Sequence, residues 1–477
     1  MPTPTSRRHF LQAAAGLAAA AAGPIAQRSS LPLAMSLAGI GALAQHQARA
    51  ADTSNGYRAL VCLFMAGGND SHNWVVPMDA SGHAEYAAVR RELAWPLASL
   101  LPITPGGQAA GRSFGMPQEL QPLHDWYEAG QAAIVANVGP LVRPITRAEY
   151  LASIDRPAKL FSHNDQQSIW QSLSPEGARS GWGGRMGDIL MSANQQPVFT
   201  AVSATGNAVF LSGSSVTQYQ LGAEGPVSVR ALGAASALGS TTAPAVLRRV
   251  LADGGSTALQ TEYVRVMQRA INSDTVLQAA LRGTSVPAIP ATPLALGMGN
   301  STLDQQGLAR QLRMVAQMIG AGQTLGMRRQ VFMVQMGGFD SHNNQMRDQP
   351  GLMATVAHAT SYFLSALRGM GLLNNVTLFS ASDFGRTLTS NGDGSDHGWG
   401  SHHFVAGGAV KGKTIYGRFP VTALGTPDDI GSGRLLPSLG VTELAATLGA
   451  WMGLSSTELA YVLPNIGRFP SARLGFL

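Results

Sequence analysis

Cysteine is almost absent from this chain: Cys62 is the only one among 477 residues. No disulfide can close within it, so stability must come from an apolar core, for which the chain is long enough. Charge is scarce as well. Asp, Glu, Lys and Arg together make up 13% of the residues, which excludes the highly charged, weakly hydrophobic composition of a disordered chain. Positive charge is not in real excess either. The formal +6 includes Arg7, Arg8, Arg28 and Arg49, and the first fifty positions hold no acidic residue, so the remainder carries +2. That balance excludes the basic footprint of a nucleic-acid binder. Long apolar runs are also missing. Ala13 to Ala22 and Leu31 to Ala44 are parted by Pro24, Gln27 and Arg28, and neither reaches the roughly 20 residues of a membrane span.

What the first fifty residues do contain is an export pattern. Ser6-Arg7-Arg8-His9-Phe10-Leu11-Gln12 matches the twin-arginine signal, and Ala48-Arg49-Ala50 is an A-x-A cleavage site before Ala51. Residues 1–50 are therefore expected to be a signal peptide read by the twin-arginine export machinery. The mature chain, 51–477, is expected to be periplasmic or secreted, with no membrane span and no nucleic-acid partner.

Glycine is abundant, at 56 residues, and three stretches use it alike. In Val61 to Asn73 an apolar strand runs into Gly67-Gly68-Asn69-Asp70-Ser71-His72. In Val331 to His342 a strand runs into Gly337-Gly338, then Asp340 and His342. In Val376 to Phe404 a strand ends at Asp383, and a Gly/Ser/Asn-rich loop then carries Asp396, His397, His402 and His403. Ligands of open α/β sheets sit beyond the carboxyl ends of the strands, so three such ends suggest one site. Five of the eleven histidines follow residue 340, which favours a metal site over ordinary turn chemistry. Mixed carboxylate and imidazole donors suit zinc or manganese, and their number allows one or two divalent ions. Arg386, close behind Asp383, can hold an oxyanion bidentately or form a structural salt bridge.

Between these stretches the pattern alternates. Another strand is expected at Ala132 to Val138, with helices at Ala84 to Leu93, Gln118 to Gly130, Leu303 to Met318 and Met353 to Met370. Ser162 is the expected N-cap of a helix, with Asp165 three residues on in a capping-box position. From 197 to 300 the composition shifts to Ala, Ser, Thr and Gly, as in a cap or insert. Two motif matches are set aside. Gly407 to Thr414 fits a P-loop by letter, but strand-like Ile415-Tyr416 follows where a helix must open. Ser113, in Gly111 to Gly115, fits a nucleophile elbow but has loop before it.

Phe64 to Asp70, Gly337 to His342, Ser382 to Thr387 and Asp396-His397, together with the twin-arginine signal, resemble the exported bacterial proteins of domain-of-unknown-function family 1501. That family is similar to the alkaline phosphatase and sulfatase superfamily. The resemblance implies an α/β class fold, an alkaline phosphatase-like α/β/α sandwich around a mostly parallel sheet with an inserted cap. It implies Asp70, Asp340, His342, Asp383, His397 and His403 as metal ligands. It places the nucleophile at a helix N-terminus, best matched by Ser162, followed by His163, with Ser71 as runner-up. Ser162, His163 and Arg386 are the expected catalytic set. The implied activity is metal-dependent hydrolysis of a phosphate or sulfate ester, small or polymeric. No Cys-x-Pro-x-Arg sequence occurs, so formylglycine chemistry is excluded. The alternative is a non-catalytic envelope protein that keeps the scaffold to bind metal or polymer.

Overall fold

A computed structural model describes residues 56–222, 225–226, 230–237, 239–252, 257–294 and 301–477. The expected signal peptide lies outside them. The main sheet has ten strands. In spatial order these are Ile415–Tyr416 (β14), Ala132–Gly139 (β5), Ser401–Ala406 (β13), Val376–Ser382 (β10), Arg58–Met65 (β1), Arg329–Met336 (β9), Ala201–Ser203 (β6), Tyr219–Gly222 (β7) and Gly225–Pro226 (β8), with Leu439–Gly440 (β15) also on β5. All neighbours are parallel except around β13 and between β7 and β8. Two small sheets flank it: Val76–Pro77 (β2), Leu100–Ile103 (β3) and Phe114–Pro117 (β4), and the hairpin Arg386–Ser390 (β11) with Ser395–His397 (β12). The helices needed below are His163–Ser172 (α1), Trp182–Leu190 (α2), Ala243–Ala252 (α3), Ala258–Arg282 (α4), Gly307–Gly320 (α5), Gln345–Gly369 (α6) and Val441–Trp451 (α7).

Side chains of β1 alternate between two cores. Ala59, Val61, Leu63 and Met65 pack with α5 and α6, through Leu312, Val315, Met353 and Phe363. Leu60, Cys62 and Phe64 pack with α2 and α7, through Trp182, Met186, Val441 and Leu444. A strand covered on both faces has no polar side, which is why it reads as an unbroken apolar run. Each large side chain so buried contributes about 1.5–3 kcal/mol. The result is a mostly parallel sheet between two helical layers.

Register puts the strand ends level. Met65 pairs with Ser382 on one side and with Met336 on the other. The loops after β1, β9 and β10 therefore leave the sheet side by side, as the repeated strand–Gly–Asp pattern predicts. Elsewhere the structure shifts the expected bounds. α6 begins at Gln345 and carries Pro350 inside it, a residue that otherwise signals a helix boundary. Residues 197–300 contribute β6, β7 and β8 to the main sheet before forming α3 and α4. The P-loop-like segment runs into β14, paired with β5.

Candidate metal centre

The β1 loop reaches the other two through its glycines. Gly67 has φ +118°, and a Cβ there would lie 2.5 Å from the Asp340 amide nitrogen. Gly68 has φ +80°, and its Cβ would overlap the Phe384 ring. Only glycine accepts both conditions. The approach lets the Gly67 N–H donate to Asp383 Oδ1 at 3.1 Å.

Asp383 is fully buried, and its other oxygen holds α1. His163, the first residue of α1, sets Nδ1 2.7 Å from Asp383 Oδ2, and Gln167, one turn on, donates Nε2–H to the same oxygen at 2.8 Å. His397 sets Nδ1 2.8 Å from the Phe161 carbonyl, an acceptor, so that nitrogen carries the proton. His342 Nδ1 lies 3.4 Å from Asp396 Oδ1. Each imidazole thus has its Nδ1 engaged by an oxygen and turns Nε2 inward. The three Nε2 atoms surround Asp340: His163 is 3.5 Å from Oδ2, and His342 and His397 are 3.2 and 3.6 Å from Oδ1.

With the proton on Nδ1, His163 and His397 each present a lone pair at Nε2. His342 Nε2 lies 2.8 Å from His397 Nε2, a contact that a proton on His342 or a cation between them makes favourable. His163 Nε2 is buried and has no hydrogen-bond partner. Donor atoms of His163, Asp340 and His397 all fall within 4.8 Å of one another. Imidazoles whose outer nitrogens are held by carboxylate or carbonyl oxygen are the usual support of a metal ligand. His163, Asp340 and His397 fit a divalent ion, with His342 beside them, and imidazole with carboxylate donors suits zinc or manganese better than magnesium or calcium.

The local field is consistent with that chemistry. Burial works against the Asp340 carboxylate, but the Arg386 hydrogen bond and charge, with help from His163 and His342, hold its pKa below the usual range. The Asp383 hydrogen bond raises the His163 pKa, against the pull of desolvation. Desolvation lowers that of His397. Arg386 is fully buried and donates Nη1–H to Asp340 Oδ1 at 2.9 Å. Its Nε and Nη2 have no hydrogen-bond partner. The Phe384 ring lines one side, 4.8 Å from His163 and 4.6 Å from His397 between centroids.

Other residues singled out in the sequence lie differently. Asp70 is buried with Arg90, accepts from Gln345 and from the His72 N–H, and stands outside the donor group. Arg90 goes on to donate to the Thr387 carbonyl at 3.2 Å, and His72 Nε2 lies 3.0 Å from the Arg386 carbonyl. Asp70 therefore ties the β1 loop to the start of α6 and to β11. His403 is buried against Trp170, with Nδ1 3.4 Å from Ser380 Oγ, and burial pushes its pKa down to about 3. Ser162 is the N-cap residue of α1, but its hydroxyl donates to Asp165 Oδ2 at 2.9 Å. Ser71 Oγ accepts from the His402 N–H. Sequence reasoning missed Gln167, whose signal is its place one turn after His163. It also missed the Phe161 carbonyl, which has no side-chain signal.

No curated protein matches the chain. Among solved structures, Ps i-CgsB in complex with k-i-k-neocarrahexaose is 9% identical, with TM-score 0.35, over 87% of this chain and 77% of the other. The PsFucS1 sulfatase from Pseudoalteromonas sp. is 10% identical, with TM-score 0.33, over 88% and 72%. The lipoteichoic acid synthase LtaP from Listeria monocytogenes is 8% identical, with TM-score 0.30, over 87% and 78%. Likeness at this level leaves function to be argued from the site. The family model for proteins of unknown function DUF1501 matches residues 57–465, and the chain belongs to that family.

Proposed function

We propose that the chain is an exported metal-dependent hydrolase of phosphate or sulfate esters. The observation that carries this is the convergence of three inward Nε2 atoms on Asp340, with every Nδ1 engaged from behind. In this reading His163, His342, His397 and Asp340 hold a divalent ion, and Asp383 orients His163. A bound cation would neutralise charge on the substrate's oxyanion. Arg386, with two buried N–H groups unpartnered, would take the remaining oxyanion charge in a bidentate grip. Ser162, next to His163 at the start of α1, is the candidate nucleophile, and its hydroxyl would have to leave Asp165 Oδ2 to attack. Export rests on the twin-arginine pattern of the first fifty residues.

The test is elemental analysis of the purified protein, followed by turnover on phosphomonoesters, phosphodiesters and sulfate esters. Bound zinc or manganese with turnover on one class, both lost in Asp340→Ala, is the expected result. Stoichiometric metal without turnover on any class would pass the chain to the second reading, a non-catalytic binder of metal or polymer. Absence of metal in a folded protein would remove the hydrolase and the metal binder, leaving only the polymer binder.

A further inference from the structure

α4 carries one apolar stripe with two different fates. Leu259, Tyr263, Val266, Ala270, Ser273, Leu277 and Ala280 follow one another at alternating steps of four and three, so they lie along one side of the helix. At the far end Leu277 and Ala280 are buried against the body of the protein. At the near end the same stripe faces outward: Leu259 is 82% exposed, Tyr263 59% and Val266 47%. The preceding helix α3 does likewise, with Val246 and Val250 one turn apart and 53% and 60% exposed. Six of the thirteen exposed large hydrophobic residues described fall on these two helices. Scattered single exposures are ordinary; a concentrated set marks an interaction surface.

Charge decides among occupants. The two helices carry Arg248, Arg249, Arg265, Arg269 and Arg282 against Glu262 and Asp274, a formal +3. Arg265 and Arg269 both reach Glu262, the one acidic residue that the two helices carry at the exposed end of the stripe. Two copies meeting through this face would bring like charges together. An anionic lipid surface satisfies both features, since the aliphatic row enters the headgroup boundary while the arginines meet the phosphates. Tyr263 has the amphipathic ring favoured at that depth.

We propose that the exposed ends of α3 and α4 dock the protein reversibly on an anionic lipid bilayer. This does not depend on the hydrolase reading, because none of these residues belongs to the metal centre. No helix among the described residues is long and apolar enough to cross a membrane, so the contact is at the surface.

The experiment is vesicle co-sedimentation with phosphatidylcholine alone and with about a third phosphatidylglycerol. It uses the full chain and the chain from Ala51, which contains the compact unit 51–477. Comparing variants within each chain separates this face from any binding by residues 1–50. Binding should require the anionic lipid and weaken with salt. The triple variant Leu259→Ser/Tyr263→Ser/Val266→Ser should bind at least tenfold more weakly, and Arg265→Gln/Arg269→Gln several-fold more weakly, both with unchanged circular dichroism and metal content. Equal binding by wild type and the triple variant in both chains overturns the proposal. So does a wild type that ignores vesicles but forms dimers in light scattering that the triple variant abolishes, or one that sediments with a soluble acidic polysaccharide instead.

Discussion

Replacing Asp70 by Asn separates two roles, ligand and anchor, with one substitution. Asp70 and Arg90 are both fully buried and paired. Removing one partner of such a pair leaves an uncompensated charge and costs about 3–5 kcal/mol. Arg90 would keep the Thr387 carbonyl at 3.2 Å and Asn73 Oδ1 at 3.0 Å, so the lower end, about 3 kcal/mol, is expected. The measurement is the denaturant midpoint of Asp70→Asn, Arg90→Met and the double variant, at fixed metal. The double variant should be less destabilised than the two singles added together, because the coupled pair is removed whole. The sign of the pH dependence follows from the site. Burial alone would raise the Asp70 pKa, but the charges of Arg90 and His72 and the bonds from Arg90 and Gln345 bring it below its ordinary value. A depressed carboxylate gives stability that is present above its unfolded pKa, about 3.9, and is lost as pH falls through the folded value. The gap between wild type and Asp70→Asn should thus be full at pH 7 and close in strong acid. If Asp70→Asn instead keeps wild-type stability while losing bound metal, Asp70 is a ligand and the anchor reading is wrong.

Four further outcomes are expected. Asp383→Asn should keep the fold but weaken metal affinity about 10–100-fold, the usual cost of losing an outer-shell partner, read by competition with a chelating dye. Arg386→Lys should retain stoichiometric metal in elemental analysis while cutting turnover at least tenfold, since an ammonium cannot reproduce the bidentate fork. Ser162→Ala should abolish turnover with metal content unchanged; full turnover in that variant would strike Ser162 from the mechanism. Arg7→Lys with Arg8→Lys should leave the precursor in the cytoplasm on fractionation, and normal export of it would remove the localisation argument.

The sheet and the level strand ends were legible because both follow from local chemistry. A doubly covered strand must be apolar throughout, and Gly-Gly followed by Asp marks where it stops. Asp340, His342 and His397 could be picked out for the same reason. Asp70 could not be told apart from them, since its difference is a tertiary one: Arg90 comes from a helix whose approach no local pattern gives. His163 was visible, but its part in the donor group was not. That part depends on Asp383, far along the chain, taking its Nδ1. The start of α6 was hidden by Pro350, a local breaker that the packing of its neighbours overrides.

The donor group is drawn from three stretches far apart in the chain: His163 at the start of α1, Asp340 and His342 after β9, and His397 at the end of β12. An unfolded chain would have to close two long loops to assemble it, so the denatured ensemble would bind a cation there poorly. A cation that recognises only the native state acts as a folding ligand. At a free concentration a thousand times Kd it adds about 4 kcal/mol to the unfolding free energy. Conformational stability would then track metal supply, and a chain starved of the ion would be the one exposed to proteolysis.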